Sequence, residues 1–214
     1  MNHNSDMPPL AQRVAALRRD HILDAAIHVF ASKGFERTTI RDVARRAGVS
    51  DGTIYNYFEN KSALLLGILD RVNETERRSD DLSGARYADF EAFLSAYIRH
   101  RFDVLASIGF PALHVLLSEL LVNTELRDRY RREVLEPTFA LADTGATNWP
   151  GASRNPKLDP RLVNRAVAGA VFGVLMLRLL GEPVVTKSWN EMIDVVSELI
   201  LRGIGVPHAN GDTS

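Results

Sequence analysis

The sequence predicts an all-α protein: an N-terminal three-helix helix-turn-helix domain followed by a C-terminal helical domain, about nine helices in all. Three observations carry this. Apolar residues recur at three- and four-residue spacing through most of the chain. Residues 13–61 are cut into short helices by capping residues and glycines. No stretch alternates apolar and polar residues as a half-buried strand would.

Residues 1–12 lack the apolar stretch of a signal peptide and read as a mobile tail. The first helix is marked by Ile22, Leu23, Ala26, Ile27, Val29 and Phe30 and stops at Gly34. Glycine suits a position just past a helix end because it takes the left-handed conformation without a Cβ clash. Thr39, with Asp42 three residues on, has the pattern of a capping box. Ile40, Val43, Ala44 and Ala47 then share one face, and Gly48 ends this second helix. Ser50 caps a third helix over 51–57, with Val49 and Ile54 spaced for a hydrophobic staple. Ile54 and Phe58 point to the core, while Gly52, Thr53, Tyr55, Asn56 and Tyr57 face the other way. Asn60 caps a connecting helix that runs to about residue 78 through Leu64, Leu65, Ile68, Leu69 and Val72.

Two short helices joined by Ala47-Gly48-Val49-Ser50 describe a helix-turn-helix, whose second helix enters the major groove of DNA. The groove is ~12 Å wide and admits one helix, so that helix must be apolar behind and hydrogen-bonding in front. Gly52 and Thr53 are small enough for close approach to base edges, and Tyr57 and Lys61 stand one turn apart, placed to grip the backbone. A cation at a helix start opposes the helix dipole, so Lys61 needs a compensating partner; a phosphate is one, and a solvated surface role is the other reading. Tyr55 and Tyr57 retain the alternative of packing on the first helix.

The runs Ile22-Leu23-Asp24-Ala25-Ala26, Phe30-Ala31-Ser32-Lys33-Gly34-Phe35, Thr38-Thr39-Ile40-Arg41-Asp42-Val43-Ala44 and Gly48 through Lys61 resemble the N-terminal signature of tetracycline-repressor-type (TetR family) regulators. The resemblance implies a DNA-binding domain read out by helix 51–57. It implies phosphate contacts from Thr39, Tyr57 and Lys61, and contacts to bases or their surroundings from Arg41, Gly52, Thr53 and Tyr55. Asp51 has two readings, an acceptor for a cytosine amino group or a carboxylate favouring the helix dipole. Little is implied beyond residue 80, except dimerisation through the last two long helices.

Charge agrees with a polyanion partner at one end. Residues 13–61 hold nine Lys/Arg against six Asp/Glu, although the whole chain is at −1. The chain has no Cys, which removes disulfides, thiolate metal sites and thiol nucleophiles together. There is no phosphate-cradling glycine loop and no His-Glu-x-x-His, so no enzyme is expected and no cofactor. His114 and Glu119, five apart, align poorly on a helix, so with His100 they are not expected to bind metal. The charge-free run Ala166–Leu177 is too short to cross a bilayer, which needs ~20 apolar residues. A cytoplasmic location without membrane contact is expected.

Residues 79–205 read as a helical ligand-binding and dimerisation domain, and 206–214 as a tail. Helices are marked by Phe90–Leu105, by Leu113–Leu121, and by about 124–142, interrupted at Pro137. A long loop covers 143–160, and two strong helices follow over about 161–180 and 188–203, the second with Ser188 and Glu191 as a capping box. The first of these two is apolar nearly all round, so it is buried on several sides. A dimer interface is expected from Val167, Gly169, Gly173, Leu177, Met192, Val196, Leu199 and Ile200, the alternative being an intramolecular core. Pocket candidates for a largely apolar small-molecule effector are Phe93, Tyr97, Phe102, Phe110, His114, Leu117, Phe139, Trp149, Phe172 and Met176. The expected function is a DNA-binding transcriptional regulator: a homodimer on a near-palindromic operator, a repressor released by its effector. An activator or a ligand-independent regulator of the same fold is the alternative.

Overall fold

The computed structural model describes residues 10–73, 90–148 and 159–203. The chain is organised as two compact units, Met1–Arg71 with Pro111–Arg129, and Val72–Phe110 with Tyr130–Ser214. These do not follow the expected division near residue 79, because the stretch 111–129 groups in space with the N-terminal helices rather than with its sequence neighbours. Residues 1–9, 74–89, 149–158 and 204–214, which include the limits of the connecting helix, most of the expected loop, Trp149 and the C-terminal tail, lie outside the described residues.

In the first unit, α1 spans Leu10–Lys33, so Leu10–Gln12 are helical rather than part of a tail. It ends as expected at Gly34, in the left-handed region at φ 77°. α2 spans Ile40–Ala47, α3 Asp51–Tyr55 and α4 Lys61–Asn73, the last two residues of which belong to the second unit. Ile22, Leu23, Ala26 and Phe30 of α1, Val43 and Ala44 of α2, Ile54 of α3 and Leu64, Leu65 and Ile68 of α4 are all buried. α4 approaches closely enough that a Cβ on Gly67 would lie 2.9 Å from Phe58 and 3.1 Å from Leu23. The unit is completed by Pro111–Val122 of α6 (Phe110–Val122) and Thr124–Arg129 of α7 (Thr124–Tyr130), with Leu113, Leu116 and Leu126 buried.

The second unit contains α5 (Phe90–Ile108), α8 (Glu136–Asn148), α9 (Pro160–Leu179), α10 (Pro183–Lys187) and α11 (Trp189–Gly203). A π-helical turn, Arg131–Leu135, joins α7 to α8 and closes with the Glu136 N–H on Arg131 O. It sits where Pro137 removes a backbone donor, so the expected interruption takes the form of one widened turn. That turn and the short α10 raise the expected nine helices to eleven α-helical segments among the described residues. α8 continues to Asn148, shortening the expected loop. Ser188 closes α10 by donating its N–H to Val184 O instead of entering the expected capping box.

α5 packs on α11, where Arg99 pairs with Asp194 at 2.6 Å. α8 packs on α9 through Asp143, which accepts from Asn164 at 2.8 Å and from Arg165 at 2.5 Å. Only Val171, Val174 and Leu175 of α9 are buried. The expectation of burial on several sides is therefore corrected: within one chain, α9 buries a single side. With its polar ends included, α9 is long and apolar enough to cross a membrane by length and composition, which the run 166–177 alone is not. One such helix is weak evidence, since helices of soluble proteins pass the same test.

Candidate DNA-reading site

The site is built by two caps and a glycine. Thr39 takes an extended conformation before α2, its hydroxyl accepts from the Asp42 N–H at 3.2 Å, and the Asp42 carboxylate reaches back to the Thr39 N–H at 3.1 Å. This is the expected capping box. Lys33 adds an ion pair to Asp42 at 2.7 Å. The Lys33 hydrogen bond is the largest influence on that carboxyl and, with those from Thr39, lowers its pKa to about 2. Gly48, at φ 66°, then turns the chain, and the Val49 N–H returns to Ala44 O at 3.0 Å. Ser50 caps α3, accepting from the Thr53 N–H at 3.2 Å, and its hydroxyl meets the Thr53 hydroxyl at 2.9 Å.

α3 is sharply two-sided. Ile54 is fully buried and Phe58, just past the helix, nearly so. Asp51, Gly52, Tyr55 and Asn56 are exposed, and Thr53 and Tyr57 half-exposed. The helix ends two residues earlier than expected: Asn56 is its cap, and the Tyr57 and Phe58 N–H groups both bond to Ile54 O at 2.9 Å. Tyr55 is 56% exposed, which removes its alternative of packing on α1. Thr39 and Arg41, at the start of α2, are exposed as well.

Lys61 has partners within the chain. Its ammonium donates to Phe35 O at 2.7 Å and Glu36 O at 3.2 Å and lies 4.2 Å from the Phe35 ring centroid. The compensating partner is therefore inside the chain: Lys61 ties α4 to the connection that follows α1. A second tie, His21 Nε2 to Ala47 O at 2.9 Å, joins α1 to the end of α2. Nothing local in the sequence signals either tie, because both partners lie 26 residues away.

Residues 22–68 match the family model described as bacterial regulatory proteins, tetR family. The Bacillus subtilis (strain 168) fatty acid metabolism regulator protein is 29% identical over 153 residues, covering 70% of this chain and 77% of its own. The structure of the fatty acid degradation regulator FadR from Bacillus halodurans superposes with a TM-score of 0.71 at 25% identity, over 88% of this chain and 99% of that one. The chain belongs to the TetR family of transcriptional regulators. FadR from Bacillus subtilis, solved in complex with stearoyl-CoA, has the same fold, with a TM-score of 0.67 at 24% identity, covering 88% of this chain and 99% of its own. TetR-family regulators bind DNA operators, dimerise and take small-molecule effectors, so this chain is a transcriptional regulator and not an enzyme.

The effector candidates of this TetR-family chain are dispersed. Phe93 and Phe102 are buried in the second unit; Tyr97, Phe110, Phe139 and Met176 are half-buried there. Tyr97 stacks on Phe93 at 6.0 Å, and the Arg165 guanidinium covers Phe139 at 4.4 Å. His114 and Leu117 belong to the first unit, and His114 is exposed, which speaks against its pocket role. Phe172 is exposed on α9. Of the interface candidates, Gly169, Gly173, Leu177 and Leu199 are exposed and Val167, Met192 and Ile200 half-buried. Val196 is buried inside its own unit and is not available to a partner chain.

Proposed function

We propose that this regulator is a cytoplasmic homodimeric repressor that holds a near-palindromic operator through α3 and releases it when a fatty-acyl effector binds the second unit. The observation that carries the DNA half is the two-sidedness of α3. Its apolar side is taken up by the core, leaving Gly52, Thr53, Tyr55 and Asn56 with no packing duty. Thr39, Tyr57 and Lys61 supply the backbone contacts that position that face, and Arg41, exposed at the start of α2, reaches the bases or their surroundings beside it. Asp51 opens α3 as an exposed carboxylate, suited both to the helix dipole and to accepting from cytosine. The fatty-acyl class is supported by the relative that regulates fatty acid metabolism.

An electrophoretic shift against the DNA upstream of its own coding sequence tests the reading. A specific complex should form at physiological salt and dissociate when stearoyl-CoA is added. Equal retardation of unrelated DNA would overturn the operator half; a complex indifferent to every acyl-CoA would overturn the effector half. The effector can move the equilibrium only by its difference in affinity for the two forms.

A further inference from the structure

Arg178, in the last turn of α9, has no counter-ion among the described residues. Its Nε is buried and, among the described residues, has no hydrogen-bond partner. Among the described residues no carboxylate pairs with it, and Glu182, four residues on, is occupied in capping α10 by accepting the Val185 N–H at 2.7 Å. Nη1 of Arg178 reaches only a neutral hydroxyl, Thr186 Oγ1, at 3.2 Å. The guanidinium carbon sits 4.3 Å from the Phe110 ring centroid. Phe110 meets Trp189 edge-on at 5.1 Å, and Trp189 meets Phe102 at 4.8 Å. The result is a row of three aromatic rings with a charged fork at one end. Phe102 is fully buried, while Phe110 and Trp189 keep part of their surface in solvent.

The ring under Arg178 does not satisfy it. Cation–π attraction acts on the face of the guanidinium, whereas its N–H donors lie in the plane and need acceptors at the edge. A buried donor on a charged group is costly when left unmade, and buried charges are ordinarily paired. An anionic oxygen is the partner this donor matches best, because charge-assisted bonds to a planar guanidinium are the strong ones. The neighbouring rings then define the rest of the ligand: an apolar body lying against Phe110 and Trp189.

We propose that Arg178 anchors the anionic oxygen of an amphipathic effector whose apolar part packs on Phe110 and Trp189. This rests on the reading that the second unit binds an effector, and not on that effector being a fatty acyl. The oxygen is a carboxylate in a free acid and a phosphate in an acyl-CoA, and both offer the same acceptor.

The intrinsic tryptophan emission of the full-length parent, to which Trp189 contributes as one of two tryptophans, reports binding. That emission is titrated with dodecanoate, dodecanoyl-CoA and methyl dodecanoate, and separately with 4-phenylbutyrate and its methyl ester. Anionic members should bind tighter than their neutral esters by about tenfold or more. Arg178→Met should erase that difference, and Arg178→Lys should restore part of it. Preference for dodecanoate over dodecanoyl-CoA assigns the oxygen to a carboxylate, and the reverse to a phosphate. If phenylbutyrate alone binds in an Arg178-dependent way, the anion site stands and the fatty-acyl reading fails. Equal binding of acid and ester, an unchanged preference in Arg178→Met, or no response of the tryptophan emission to any anion overturns the proposal. So does a Met variant that loses dimerisation alone. Should Arg178→Met fail to fold, the acid–ester comparison in the parent decides by itself.

Discussion

Thr39 and Asp42 bind each other in both directions at the tip of α2. The Thr39 hydroxyl accepts the Asp42 N–H and gives its own proton to Asp42 Oδ2 at 2.8 Å. A phosphate contact from that hydroxyl must therefore take the proton away from Asp42, which still keeps Lys33 and the Thr39 N–H. The Asp42 carboxyl is lowered from an ordinary 3.8 to about 2, so it binds protons more weakly folded than unfolded. Its stabilisation is present above pH 4 and lost as pH falls through about 2. Urea unfolding between pH 2 and 6 should show a steeper acid loss in the parent than in Asp42→Asn; matching slopes would remove this group from the acid response. Lys61→Ala should lower stability by about 1 kcal/mol, since it strips the Phe35 and Glu36 carbonyls of their donor. If the same ammonium also neutralises a DNA phosphate, its removal should reduce the log–log salt slope of DNA binding by ~0.9. A stability loss with an unchanged slope would leave Lys61 as a strut alone. At this scale the sequence is legible where the interaction is local. Both caps follow from three-residue spacing, while Lys61 and Arg178 owe their partners to tertiary placement that no spacing records.

Helix α4 illustrates what elements add to residues. Gly67 costs helix propensity, and the periodic pattern of Leu64, Leu65, Ile68 and Leu69 gives no reason for it. The reason is the neighbour: Phe58 and Leu23 occupy the volume a Cβ would need. Gly67→Ala should therefore destabilise the chain by ~1–3 kcal/mol through overpacking, against a propensity gain of ~1 kcal/mol. Thermal unfolding that shows a neutral or stabilised variant would contradict the close approach of α4 to α1. Long periodic helices and the Pro137 break are legible because each depends on its own residues. The five-residue α10 is not: it is a single turn started by Pro183 and the Glu182 cap, too short for any periodicity.

At the scale of the molecule, the apolar surface that one chain leaves open decides how two would meet. Leu162, Phe172 and Leu177 on α9 and Leu180 just past its end, with Val195 and Leu199 on α11, are exposed, and Leu199 is 66% so. Residues 162, 166, 169, 173, 177 and 180 fall on one helical stripe, with Gly169 and Gly173 at its middle. Among the described residues, a Cβ added at either glycine meets nothing within 4 Å. Gly173→Leu is thus a direct test: it should leave the fold of each chain intact and obstruct what packs against α9. Sedimentation should show weakened dimers, by ~1–3 kcal/mol of overpacking, with secondary structure unchanged. Because a pair formed through α9 and α11 is isologous, the two α3 helices are related by a two-fold axis, and the site they read must be an inverted repeat. Its half-sites should lie one helical turn apart, ~34–36 Å, or a multiple of it. Footprinting of the parent should protect such a repeat, and Gly173→Leu should lose that protection in step with its dimer. An intact Gly173→Leu dimer would return α9 to an intramolecular role, and tight binding of one chain to an asymmetric site would overturn the two-fold arrangement itself.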